Sequence, residues 1–182
     1  GRGIQRVGTR ILEASTIPDR RKPRIHKLDG SFLLWNGKLA VRDPELFRRQ
    51  PSEMLRYFRV SQEQGAPLYG HTRELIEAEV AERGERLAAD PRASKFFLEA
   101  LVDIEDKGKP SLLQEMHAVG LLAAVMPEFG PCTGRVQHDL YHVYTVDYHQ
   151  LYTLGMLKAT ARGELGEDAR TAQEAYWELS VP

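Results

Sequence analysis

The sequence predicts a mainly α-helical protein, an array of helices with one small β-hairpin. Two observations lead to this prediction. After residue 43, apolar residues recur at helical spacing, as in Phe96, Phe97, Ala100, Leu101 and Ile104. Before that point, the pair Asn36-Gly37 lies between two short segments of alternating polarity, which is typical of a two-residue hairpin turn. At 182 residues the chain is long enough to bury a hydrophobic core.

Composition argues against nucleic-acid-binding, disulfide-rich and membrane-spanning proteins. The 25 Lys and Arg residues nearly balance the 26 Asp and Glu residues, so bulk charge gives no indication of a nucleic-acid partner or an anionic membrane surface. The single cysteine excludes an internal disulfide framework and fits a reducing compartment. No apolar run reaches the roughly 20 residues that span a bilayer. We therefore expect a cytoplasmic protein that binds neither nucleic acid nor membranes.

Residues 1–27 are predicted to be the C-terminal part of a helix followed by a basic linker. One helical face is indicated by Ile4, Val7, Ile11 and Leu12. Pro18 and Pro23 cannot continue that helix. Because the chain starts at Gly1 and not at Met, we expect it to be a piece of a longer protein.

The hairpin is expected at 31–42, and helices are expected at about 44–49, 51–64, 71–88, 91–106, 111–125 and 143–162. Capping residues predict where three of these helices start, namely at Asp43-Pro44, at Asp90-Pro91 and at the capping-box pair Ser111 and Gln114. The tail after residue 162 is expected to form a partly exposed helix. Predicted core residues include Met54, Leu55, Phe58, Phe97, Leu112, Leu113, Met116, Val119 and Leu122.

A cluster of histidines near residue 140 is the main candidate for chemistry. On an unbroken helix, His138, His142 and His149 would share a face, but His149 would lie about 10 Å along the axis from His142. A single ion with bonds of about 2.0 to 2.1 Å cannot bind all three. His138, Asp139 and His142 could chelate a metal together, or the imidazoles could be hydrogen-bonded or face solvent. If Thr145 is instead an N-cap, His149 lies alone in the first turn of a helix.

Two stretches resemble a known family. The segment "MPEFGPCTGRVQHDLYHVYTVDYHQL" (126–151) resembles the signature of the bifunctional uridylyltransferase/uridylyl-removing enzymes that modify the nitrogen-regulatory PII protein. The segment "LDGSFLLWNGKLAVRDPELFRRQPSEMLRYFRVSQEQG" (28–65) is similar to the helical region that follows the nucleotidyltransferase domain in that family. The resemblance implies that residues 28–130 form this helical region. It also implies that 131–182 form the truncated N-terminal portion of an HD-type metal-dependent phosphohydrolase domain, so that the fold ends in the first helix of an incomplete HD-type domain.

The resemblance also implies a role for one residue. His149, in "TVDYH", matches the first histidine ligand of the HD metal site, whereas the metal-binding His-Asp doublet of the superfamily is expected beyond Pro182. The pair His138-Asp139 is therefore not that doublet. The implied cofactor of the parent enzyme is a divalent metal, Mg or Mn, and this fragment alone is expected to bind none and to be inactive.

The implied partners of the parent enzyme are a PII-type regulatory protein, UTP and the flanking domains of the same polypeptide. Tyr148 stands where many relatives have glutamate, which leaves open a substrate other than PII. The alternative is a stand-alone helical scaffold or protein-interaction module derived from the family. The flanking sequence distinguishes the two, because the enzyme needs a paired-carboxylate motif upstream and a His-Asp doublet downstream.

Overall fold

The computed structural model describes residues 22–135 and 145–180. Within these residues a small antiparallel sheet precedes a set of α-helices, as the sequence predicts. The strands are β1 (Ile25–Lys27), β2 (Phe32–Trp35) and β3 (Lys38–Val41). The helices are α1 (Leu46–Arg49), α2 (Glu53–Gln64), α3 (Gly70–Arg83), α4 (Pro91–Val102), α5 (Leu112–Ala118), α6 (Leu121–Val125), α7 (Val146–Ala161) and α8 (Arg170–Ser180). Three 3-10 turns lie at Gly84–Arg86, Pro127–Cys132 and Glu167–Ala169.

The predicted hairpin is confirmed, and the structure adds a third strand to it. Strand β2 pairs with β3, and the turn residues Asn36 and Gly37 have φ angles of 49° and 81°, the left-handed region that a tight hairpin turn requires. Strand β1 pairs with the other edge of β2. The Asn36 side chain accepts a hydrogen bond from the Arg24 N–H at 2.8 Å, so the turn residue also holds the start of β1.

The outer edge of β3 is paired with a loop. The Leu39 N–H donates to the Pro67 carbonyl and the Tyr69 N–H donates to the Leu39 carbonyl, both at 2.9 Å. The buried hydroxyl of Tyr57 donates to the same Leu39 oxygen at 2.6 Å and accepts from the Tyr69 N–H at 3.1 Å. Burial raises the pKa of this hydroxyl, so it keeps its proton and remains a donor.

Arg56 joins the sheet to α2. Its guanidinium group bonds to Asp29 and, at 2.8 Å, to Glu53, and it lies 5.1 Å above the ring of Phe32. Asp29 accepts hydrogen bonds from the N–H groups of Ser31 and Phe32 at 2.7 and 2.8 Å. The turn before β2 is therefore fixed to α2 through one cation.

The core lies between the sheet and helices α1 to α6. At its centre the Tyr57 ring contacts three other buried rings, those of Phe32, Phe47 and Phe58. Most of the predicted core positions are buried, including Met54, Leu55, Ala100, Leu112, Leu113, Met116, Val119 and Leu122. Phe96, Phe97 and Leu101 are partly buried and pack against this core from its side.

Two of the predicted helix starts are confirmed in their atomic detail. Asp90 accepts from the Arg92 N–H at 2.8 Å, with Pro91 in the first turn of α4. Ser111 and Gln114 form the expected capping box at the start of α5. The third start differs, because Asp43 accepts from the Glu45 N–H at 2.9 Å and the helix begins only at Leu46.

The predicted helix over 111–125 is wrong in one respect, since the structure contains two helices there. Gly120 has a φ of 86°, which ends α5 and starts α6 in a new direction. The predicted helix over 91–106 ends earlier, at Val102, where Asp103 turns the chain by accepting from the Glu105 N–H at 3.0 Å. Across the described ranges, none of the helices has the length and apolarity to cross a membrane.

Candidate functional site

His149 lies in the first turn of α7 with its side chain exposed. The helix begins after Thr145, which occupies the N-cap position, and the His149 N–H donates to the Thr145 carbonyl at 2.9 Å. This agrees with the interpretation in which Thr145 starts the helix. The imidazole is therefore presented at a helix N-terminal end and is accessible from solvent.

The other metal candidates, His138, Asp139 and His142, lie outside the described residues, and their role as ligands stays a prediction. Among residues 22–135 and 145–180 there is no group of three or more His, Cys, Asp or Glu side chains placed to hold a metal ion. Of the predicted site residues, the structure thus positions one donor. A single imidazole does not make a metal site, because structural and catalytic ions take three or more protein ligands.

Asp147, two residues before His149, is the most buried charged residue of this region. Its Oδ2 atom lies 2.8 Å from His117 Nε2 and accepts from the Gly134 N–H at 3.1 Å. Because a carboxylate can only accept, the His117 Nε2 atom carries the proton. Burial alone would raise the pKa of Asp147, but hydrogen bonds from the Thr145 side chain, Gly134 and His117 outweigh it and hold that pKa below its ordinary value.

Aromatic rings enclose the His117 imidazole. Phe129 and Tyr148 meet it edge to face, with centroid distances of 5.5 and 5.4 Å. His117 itself is buried on α5, whose start is fixed by the capping box. Tyr148 therefore packs against the side chain that anchors its neighbour Asp147.

Residues 134 and 135 hold the first turn of α7 at the same point. The Val146 N–H donates to the Arg135 carbonyl at 2.9 Å, next to the bond between Gly134 and Asp147. The beginning of α7 is thus held by α5 on one side and by the chain at 134–135 on the other. The sequence did not predict the pairing of His117 with Asp147, since no local pattern links residues thirty positions apart.

The far end of α7 is held by a buried lysine. Lys158 is 6% exposed, and its Nζ atom donates to the Ala100 carbonyl at 2.9 Å, near the C-terminal end of α4. A cation is favourable there because the last carbonyls of a helix carry partial negative charge. Burial lowers the pKa of Lys158, and the nearby carboxylates of Asp106 and Asp103 oppose part of this effect.

Arg162 extends this attachment beyond the helix. Its guanidinium group bonds to the Ile104 carbonyl and also to both carboxylate oxygens of Glu164, at 2.9 and 2.8 Å. Lys107 adds a contact of 3.2 Å to Glu164. These contacts lower the pKa of Glu164 to about 2. Polar contacts at both ends therefore fix α7, and with it the backbone of His149, on the helical body.

Comparison with known proteins gives two kinds of match. A family model described as the uridylyltransferase GlnD third domain matches residues 32–125. A bifunctional uridylyltransferase/uridylyl-removing enzyme from Azospirillum brasilense is 34% identical over 179 aligned residues, covering 91% of this chain and 19% of the relative. The enzyme of the same name from Rhodospirillum rubrum is 33% identical over 166 residues, covering 91% of this chain and 17% of the relative. The chain thus spans less than a fifth of the length of these curated relatives.

Proposed function

Because the chain belongs to the uridylyltransferase GlnD third-domain family, we propose that it is the central helical region of a bifunctional uridylyltransferase/uridylyl-removing enzyme. The observation behind this proposal is similarity along nearly the whole chain to two such enzymes, each of them much longer than this chain. In the proposed enzyme, the described helices connect a nucleotidyltransferase domain to a uridylyl-removing domain. The partners of that enzyme are UTP, a PII-type regulatory protein and its own flanking domains.

Within this enzyme, His149 is one ligand of a divalent metal, Mg or Mn, at the uridylyl-removing site. Such an ion, when bound, stabilises charge on a phosphate and lowers the pKa of bound water. The described residues contain no group of three or more side chains placed to hold a metal, so they do not fit a complete site, and the remaining ligands come from other parts of the enzyme. The contribution of this chain is to present an exposed imidazole from a helix whose two ends are attached to the helical body.

The test is His149→Ala in the full-length enzyme. We expect uridylyl removal to be lost while uridylyl transfer to PII is kept, because the two reactions use different sites. The matched control is His71→Ala, which removes another exposed histidine, on α3. An equal loss of both activities in a folded His149→Ala enzyme would contradict the assignment, and so would full removal activity.

A further inference from the structure

The β-sheet has one face that the core does not use. In β2, Phe32 is buried in the core and Leu34 packs against it. Because successive side chains of a strand point to opposite faces, Leu33 and Trp35 lie on the other side of the sheet, which we call the outer face. Among the described residues, neither of these two belongs to the core, and Trp35 is 36% exposed.

The strand register brings further side chains onto the outer face. Ile25 of β1, which is 51% exposed, lies beside Trp35, and Lys38 of β3 lies on the other side of the same residue. Lys27 of β1 is exposed and lies beside Leu33. The outer face therefore has an apolar centre, and each of its two margins carries a lysine.

Arg42 adds a third cation to the outer face. It follows Lys38 by an even number of residues, and its N–H donates to the Ser31 carbonyl at 2.9 Å, which extends the pairing of β2 with β3. Its guanidinium group donates to the backbone carbonyls of Asp29 and Gly30 at 3.0 and 3.2 Å. These partners are neutral, so they leave the positive charge of Arg42 uncompensated.

The excess of positive charge is local to this part of the chain. Residues 22–42 contain five Lys or Arg residues and one acid, Asp29, whose carboxylate bonds to Arg56. The whole chain has a formal net charge of −1. Within the described residues, no carboxylate forms an ion pair with Lys27 or Arg42. The outer face therefore attracts acidic groups.

We propose that the outer face binds the protein substrate of the proposed enzyme, through a segment of that substrate in which acidic side chains flank an apolar one. The apolar side chain contacts the ring of Trp35 between Ile25 and Leu33, and the carboxylates pair with the cations around them. This role rests on the proposed function, which supplies the protein substrate.

The composition of the outer face favours a protein over a nucleic acid. Ile25 and Leu33 are aliphatic, and the single ring of Trp35 does not form a platform on which successive bases can stack. An apolar centre with a polar rim is instead the usual anatomy of a protein–protein interface.

The cations of the rim favour a partner that binds and dissociates. Permanent interfaces are more hydrophobic than transient ones and resemble a section through a core. Charges at a rim mainly accelerate the encounter with an oppositely charged partner. A substrate must bind before each reaction and leave after it. The outer face therefore suits a protein substrate better than a permanently packed domain of the same polypeptide.

Steady-state kinetics of uridylyl transfer by the full-length enzyme tests the proposal. Lys27→Glu reverses one charge at an exposed position of the outer face. We expect the KM for the PII-type protein to rise about five- to tenfold and kcat to stay unchanged, because the side chain contributes to binding alone. The matched control is Lys95→Glu on α4, where the side chain is 73% exposed, and it should change neither constant.

Acetylation of Lys27 gives a readout that does not depend on catalysis. In the free full-length enzyme, mass spectrometry should find Lys27 and Lys95 both modified after brief treatment with an acetylating reagent. With the PII-type protein present and UTP absent, we expect Lys27 to react several times more slowly and Lys95 to react at the same rate as before.

Four results would overturn the proposal. Two are kinetic: an unchanged KM in Lys27→Glu, or an equal change in Lys95→Glu. Lys27 that is already unreactive in the free full-length enzyme would assign the outer face to another domain of the same polypeptide. Protection of Lys27 by polyuridylate and not by the PII-type protein would assign it to nucleic acid. An unmodified enzyme that transfers no uridylyl group to the PII-type protein would instead contradict the proposed function, so the two failures are distinct.

Discussion

The imidazole of His117 and the carboxylate of Asp147, thirty residues apart in the sequence, share a buried hydrogen bond of 2.8 Å. This contact joins α5 to the start of α7. Removal of one partner leaves the other polar group buried without compensation. We expect Asp147→Ala to lower the free energy of unfolding by about 3 kcal/mol, as measured by urea titration.

Substitutions at His117 separate the hydrogen bond from packing. His117→Gln keeps an N–H donor near the position of Nε2, whereas His117→Leu fills similar space with no donor. We expect the glutamine variant to retain most of the stability and the leucine variant to lose about as much as Asp147→Ala. If the two variants are equally stable, the hydrogen bond does not hold α7.

Lys158 should resist amine-reactive labelling. Its Nζ atom is buried and donates to the Ala100 carbonyl, whereas the side chains of Lys95 and Lys107 are 73% and 60% exposed. After brief treatment with an acetylating reagent, mass spectrometry should find Lys95 and Lys107 modified and Lys158 unmodified. In urea, all three should react. Rapid labelling of Lys158 in the native protein would mean that the end of α7 is detached from α4.

Substitution by alanine should change the stability of the chain in opposite directions at Gly155 and at Gly163. Gly155 lies within α7, and an added Cβ would meet no atom within 4 Å, so Gly155→Ala should stabilise the 182-residue chain by about 0.5 to 1 kcal/mol. Gly163 has a φ of 73°, and its added Cβ would lie 2.9 Å from Gln173 Nε2. Gly163→Ala should therefore destabilise the chain, by about 1 kcal/mol. Thermal unfolding of both variants checks the pair.

The lowered pKa of Glu164 predicts that the protein loses stability in acid. Its pKa falls from 4.5 to about 2 through contacts with Arg162 and Lys107. Because the folded-state pKa is the lower one, this stabilisation is present above about pH 4.5 and is lost as the pH falls towards 2. In urea titrations across this range, Glu164→Gln should flatten the decline, whereas Glu167→Gln, at another exposed glutamate, should not. High salt should reduce the difference, because the contacts are solvent-exposed.

Local sequence signals predicted those parts of the fold that local chemistry determines. Asn36-Gly37 predicted the hairpin because few other residues adopt the left-handed φ angles that its turn requires. Asp90-Pro91 predicted the start of α4 because the pair combines a capping side chain with a proline in the first helical turn. Gly120 was not recognised as a break, because the apolar spacing continues on both sides of it. Strand β1 was missed because its three residues are all exposed and show no alternation.

The candidate site was predictable only in part, for a related reason. His149 became a candidate through a resemblance that covers a contiguous motif, and its role as a ligand stays a prediction. The pairing of His117 with Asp147 depends on how α5 and α7 meet, and residue spacing contains no information about that. Lys158 was missed because lysine side chains are almost always exposed, and its burial depends on the position of the C-terminal end of α4.

The loop bonds on the far side of Leu39 have a consequence for how the protein behaves at high concentration. A sheet margin with free N–H and C=O groups can recruit strands from other molecules and seed aggregation. Residues 67–69 occupy that margin of β3, and the Tyr57 hydroxyl reinforces their pairing. The opposite margin, β1, is only three residues long and includes His26 and Lys27. Intermolecular strand addition is therefore disfavoured at both margins, which allows a small sheet to remain near the surface of a helical protein.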